Sequence, residues 1–135
     1  MKLYVSEAAS EGVNRALEGR DDLLASDLVT TEIASALARR VREERLRPEH
    51  ARRVHQTILS ALHAGPYRRL ELGREEHREA ERLLLGRPDL ALRAADALHL
   101  ALARSGRAVA MATFDRRLAQ AARATGMSTY PRGGP

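Results

Sequence analysis

With 135 residues, 44% of them apolar and only 3% aromatic, the chain has the length of one domain that buries roughly two-thirds of its unfolded surface. Its core must be Leu, Ala and Val, with Phe114 and the three tyrosines as occasional bulk. The absence of cysteine excludes disulfides and thiolate metal sites, so any metal must sit on oxygen or imidazole ligands. A formal charge of +5, carried by arginine because Lys2 is the only lysine among 23 basic residues, favours a phosphate-rich partner, although a GC-biased genome gives the same composition.

No apolar run approaches the roughly 18 residues of a membrane helix, and no signal-peptide pattern opens the chain. A cytoplasmic location without membrane attachment is therefore expected. Residues Glu7 to Glu18 read as a helix, and "DDLLAS" as a short strand bounded by charges. The segment "DLVTTEIASALARRVREERL" spaces Leu28, Ile33, Leu37 and Val41 for a helix, with Asp27 or Thr30 available as its N-cap. Pro48 opens the next helix, which runs to Gly65 and Pro66 and forms a hairpin with the one before it.

A second strand is expected at "YRRLEL" and a helix at "REEHREAERLLLG". The helix "LRAADALHLALARSG", the strand "AVAMATF", the helix "DRRLAQAARATG" and a last short strand in "MSTYP" follow. Strands interleaved with helices predict an α/β fold, a short parallel sheet covered on both faces. A single domain over residues 1–131 is expected, with "RGGP" at 132–135 as a flexible tail.

In such sheets ligands gather beyond the carboxyl ends of the strands. Asp115 follows the strand "AVAMATF", Glu32 lies in the first turns of the helix after "LLAS", and Asp96 sits near the start of an otherwise apolar helix. Three carboxylates converging on one edge repel each other unless a cation lies between them, and oxygen ligands suit Mg²⁺ or Mn²⁺. Such an ion supports hydrolysis of a phosphodiester.

Each residue also has a plainer role. Asp115 fits an N-cap of "DRRLAQAA", Glu32 is favoured by a helix dipole, and Asp96 has Arg93 at i−3 as a structural partner. His99 reads as a hydrogen-bonded packing residue rather than a metal ligand. Thr113, two residues before Asp115, can orient water or phosphate, or simply serve the sheet.

Together "SDLVTTEIASALARR", "LRAADALHLALARSG" and "ATFDRRLAQAA" resemble the PIN-domain ribonucleases, specifically the VapC toxins of toxin–antitoxin pairs, in motif order, separation and intervening hairpin. The resemblance covers nearly the whole chain. It implies a PIN-like three-layer fold and RNA cleavage with Glu32, Asp96 and Asp115 as metal-binding acids, Thr113 lining the site, and Mg²⁺ or Mn²⁺ as cofactor. It also implies a VapB-like antitoxin and a homodimer as partners. The start departs from the pattern: family members open with an apolar strand ending in Asp, whereas here the text of the following helix begins at Lys2, so that strand and its Asp are expected to be missing, as a mis-assigned start codon would produce. A second alignment makes "MKLYV" the strand itself, with Ser6 or Glu7 at its end. The resulting expectation is a metal-dependent endoribonuclease toxin, with a non-catalytic PIN scaffold that binds RNA or antitoxin as the alternative.

Overall fold

A computed structural model of the chain describes residues 2–6, 17 and 19–130. The elements are β1 (Leu3–Val5), β2 (Leu23–Ser26), α1 (Asp27–Arg42), α2 (Pro48–Ala64), β3 (Tyr67–Leu70), α3 (Arg74–Gly86), a 3₁₀ turn (Pro88–Leu90), α4 (Ala94–Ser105), β4 (Ala110–Ala112), α5 (Arg116–Ala124) and β5 (Ser128–Tyr130). Of the helix expected at Glu7 to Glu18 only Leu17 is among the described residues, and the tail at 132–135 lies outside them.

The five strands form one parallel sheet in the order β3-β2-β1-β4-β5. The α/β class, the parallel sheet, the flanking helices and the α1–α2 hairpin match the expectation from sequence. The opening does not. Leu3–Val5 is a strand, and it occupies the centre of the sheet, with Tyr4 paired to Leu24 on one side and Met111 on the other. The central slot is therefore filled, and the expectation of a missing first strand is not met. Ser6 follows it, its Oγ donating to Ala112 O at 3.0 Å, and Glu7 lies outside the described residues.

Alternation along β1 explains why so short a segment can hold this position. Tyr4 enters a core with Leu24, Leu100, Leu102, Met111 and Leu118 on one face of the sheet. Leu3 and Val5 join Leu17, Leu23 and Ala112 on the other. Every residue of β1 is thus buried. The aromatic bulk is not distributed as expected, because Tyr4 is fully buried whereas Phe114 is 49% exposed.

Local signals set the helix boundaries. The N-cap of α1 is Ser26, the last residue of β2, whose Oγ accepts from Leu28 N at 3.2 Å, and not Asp27 or Thr30. Asp27 instead pairs with Arg69 of β3, and the Thr30 hydroxyl donates to Asp27 O. Pro48 sits at the first turn of α2, where a missing N–H costs nothing. Beyond α5, Gly126 takes φ +95°, a conformation L side chains rarely adopt.

Leu100 has no exposed surface and lies in the main core. Leu100→Ala is expected to remove about 2–5 kcal/mol of stability. The measurement is urea unfolding, where the midpoint should fall with little change in slope.

Candidate functional site

From β1 the chain proceeds outward through β2 to β3, then crosses to β4 and proceeds outward the other way to β5. The direction reverses between β1 and β4, and the carboxyl end of that junction is where a crevice opens in a sheet of this kind. Ser6 follows β1 there, and Thr113 and Asp115 follow β4.

Asp115 is the N-cap of α5. Its Oδ1 accepts from Arg117 N at 2.9 Å and Leu118 N at 3.1 Å, which fixes the side chain at the helix start. The buried Thr113 turns its hydroxyl back onto the same turn, accepting from Asp115 N at 3.0 Å. Thr113 therefore shapes the loop that aims Asp115.

Asp96 is the third residue of α4 and is only 6% exposed. Its Oδ2 accepts from Arg93 N at 3.0 Å, the reciprocal half of a capping box, while the Arg93 guanidinium lies farther off, at 3.9 Å, and largely in solvent. The expected partner at i−3 is present, but it acts through its backbone.

Glu32 is in the second turn of α1 and meets α4 through His99, whose Nε2 contacts Glu32 Oε1. His99 stands three residues after Asp96, so the two share a face of α4. The structure thus brings Glu32 to the Asp96–His99 face, and sets Thr113 and Asp115 at the end of β4, the strand next to β1. His99 is 3% exposed and hydrogen-bonded, the packing role expected of it, with a contact to Glu32 that no sequence spacing announces.

Each of the three carboxylates leaves one oxygen, Glu32 Oε2, Asp96 Oδ1 and Asp115 Oδ2, without a hydrogen bond among the described residues. Hard, anionic oxygens of this kind fit Mg²⁺ or Mn²⁺. Among the described residues no three Asp, Glu or His side chains converge enough to enclose an ion by themselves. One or two carboxylates, completed by water and a substrate phosphate, match the way Mg²⁺ is usually bound.

A cleft of about 440 Å³ adjoins Glu32 and is lined by Ser35, Ala36, Arg39, Arg42 and Arg93. Positions 32, 35, 36, 39 and 42 recur at helical spacing along one face of α1, so three arginines, with Arg93 from the N-cap of α4, face one carboxylate. Sequence reasoning leaves these arginines unassigned because arginine is everywhere in the chain; only the cleft they share with Glu32 selects them. A second, apolar groove of about 590 Å³ runs between α1 and α2, past Leu37, Val41, Pro48 and Ala51.

The PIN-domain profile matches residues 2–124 of the chain. Eight solved chains match the fold significantly. Among them is the crystal structure of PAE2754 from Pyrobaculum aerophilum, similar with a TM-score of 0.62 and 21% identity over 96% of this chain and 83% of that one. None of the curated proteins matches the sequence significantly.

The cap geometry separates two roles of Asp115. Asn caps a helix about as well as Asp, whereas Ala does not. Asp115→Ala is expected to lose about 1 kcal/mol of unfolding free energy and Asp115→Asn less than half of that. Thermal or urea unfolding checks the pair; if both variants are equally destabilised, the capping bonds are not what holds this turn.

Proposed function

The chain belongs to the PIN-domain family, a class of nucleases, and from that premise we propose that it is a Mg²⁺- or Mn²⁺-dependent endoribonuclease. The observation that supports this reading best is the cleft along α1 in which Arg39, Arg42 and Arg93 line the same space as the Glu32 carboxylate. Cations in that arrangement suit a phosphodiester backbone, and the acidic residues beyond them suit a metal.

In this reading Asp96 and Asp115 are the metal ligands, each presenting the oxygen that its capping role leaves open. Glu32 is a further ligand, or the base that orients the attacking water and takes its proton. Thr113 holds the turn that carries Asp115. A divalent ion held by these carboxylates would supply Lewis-acid polarisation of the scissile phosphate and acidify a water. Arg39, Arg42 and Arg93 neutralise the RNA backbone and fix where the scissile phosphate lies, which is the positioning that phosphoryl transfer requires. Water adds to phosphorus as its proton passes to the base, the bond from phosphorus to the ribose oxygen breaks on the opposite side, and that oxygen takes a proton from solvent.

The biological setting in this proposal is that of a VapC-like toxin, neutralised by a VapB-like antitoxin, paired with a second copy of itself and acting in the cytoplasm. That part is supported by the resemblance of its motifs. Among the described residues no helix is long and apolar enough to cross a membrane. The alternative, a scaffold that binds RNA or antitoxin without cutting it, is favoured by one observation: Ser6, not a carboxylate, follows β1.

Cleavage of a structured RNA pool by the purified chain separates the two readings. The enzyme reading expects cutting with Mg²⁺ or Mn²⁺, none with EDTA, and a loss of at least about a hundredfold in Asp96→Asn, as removal of a charge-stabilising group typically costs. Absence of metal-dependent cutting by the folded wild-type chain overturns it. The arginines are checked by RNA affinity against salt: Arg39→Ala and Arg42→Ala are each expected to weaken binding and to reduce the log–log salt slope by about 0.7, the value for one phosphate contact on a single strand.

A further inference from the structure

His99 is enclosed and engaged at both ring nitrogens. Nδ1 lies 2.7 Å from the Tyr4 hydroxyl, and Nε2 contacts Glu32 Oε1. The Tyr4 hydroxyl also lies 3.2 Å from Ser26 Oγ, which accepts the Leu28 N–H as the N-cap of α1. A carboxylate that accepts in this contact requires the hydrogen on Nε2. Burial pushes the Tyr4 phenol well above its ordinary pKa, the Ser26 hydrogen bond works against that shift and the Glu32 charge adds to it, so Tyr4 remains a donor at ordinary pH. With the hydrogen on Nε2 and Tyr4 donating to Nδ1, the bonds run in one direction, from the Leu28 N–H through Ser26, Tyr4 and His99 to Glu32. Such a chain polarises each bond along it.

Glu32 needs this support. Its side chain is 42% exposed at the mouth of the cleft, on a helix surface where a glutamate otherwise samples many rotamers. The contact with His99 fixes one carboxylate oxygen and leaves the other turned to its surroundings. Tyr4 and His99 are themselves held rigidly, both being buried and packed edge to face with ring centroids 5.7 Å apart.

We propose that His99, backed by Tyr4, is a positioning residue that holds the Glu32 carboxylate ready for metal or water. The proposal rests on the assignment of Glu32 made above. It places the determinant of Glu32 geometry in the central strand and in α4, away from the acids themselves, and gives a role to a histidine that is not a ligand. Outer residues that hold a ligating carboxylate typically matter 10- to 100-fold in metal affinity.

Mn²⁺ titration of the RNA-free protein, followed calorimetrically, provides the first test. His99→Leu is expected to weaken Mn²⁺ binding roughly 10- to 100-fold. His99→Gln, whose side-chain amide can still donate to Glu32, is expected to recover most of that loss. The double variant Glu32→Gln/His99→Leu should be no worse than Glu32→Gln alone, because His99 acts through Glu32. Additive losses, or full affinity in His99→Leu when Glu32→Gln is weakened, overturn the proposal.

A second test needs no metal. ¹⁵N spectra of His99 should show a single tautomer with hydrogen on Nε2, and its resonances should move in both Tyr4→Phe and Glu32→Gln. Averaged tautomers, or a ring indifferent to Glu32→Gln, also overturn it. If Glu32→Gln leaves Mn²⁺ affinity unchanged, the ligand role of Glu32 falls and the spectra alone decide whether His99 holds it. Should His99→Leu fail to fold, His99→Gln and Tyr4→Phe carry the same tests.

Discussion

A phenol buried at the centre of a sheet must find hydrogen-bonding partners, because desolvating an unpaired hydroxyl costs on the order of 1–3 kcal/mol. Tyr4 is fully buried on the central strand, and its partners are Ser26 at the end of β2 and His99 on α4. Satisfying that one hydroxyl constrains how β1, β2 and α4 meet. It also carries the consequence outward, since Ser26 caps α1 and His99 meets Glu32 on the same helix. The polar chain therefore ties the first turns of α1, which carry Glu32, to the middle of the core.

The acidic residues of the edge have structural work as well as the chemical role proposed for them. Asp115 caps α5, Asp96 closes a capping box on α4, and Asp27 pairs with Arg69. A helix N-terminus favours a carboxylate for electrostatic reasons alone, so capping and metal binding place Asp at the same positions and are not competing explanations. A carboxylate has two oxygens with several lone pairs. In Asp96 and Asp115 one oxygen meets backbone N–H groups, and the helix thereby fixes the direction in which the other points.

Most of the fold is legible in the sequence because its signals are local. Pro48 and Gly126 mark helix boundaries, the apolar spacing of "ALHLALA" marks α4, and Asp115 after "AVAMATF" marks the step from strand to helix. The opening is misread for a physical reason: a three-residue strand carries almost no periodic signal, and Leu3–Val5 is a strand because its neighbours β2 and β4 complete its hydrogen bonding and burial. The N-cap of α1 is missed similarly, since Ser26 belongs to the strand and caps the helix at once. Asp96, Asp115, Glu32 and Thr113 are singled out as candidates from their places in the sequence and the motifs they sit in. The contact between His99 and Glu32, the buried Tyr4 and the particular arginines of the cleft arise between residues distant in the chain, and spacing cannot reveal them.

The proposed function stands or falls on whether Asp96 and Asp115, with Glu32 as a third acid, bind a divalent metal. Anomalous diffraction from crystals soaked in Mn²⁺ tests it most directly. The account predicts a manganese peak within about 2.0–2.3 Å of a carboxylate oxygen of Asp96 or Asp115, near the coordination distances of small hard cations, with Glu32 in its first or next shell of neighbours. Well-ordered manganese found only elsewhere on the surface, with these carboxylates in contact solely with their backbone partners, would contradict it.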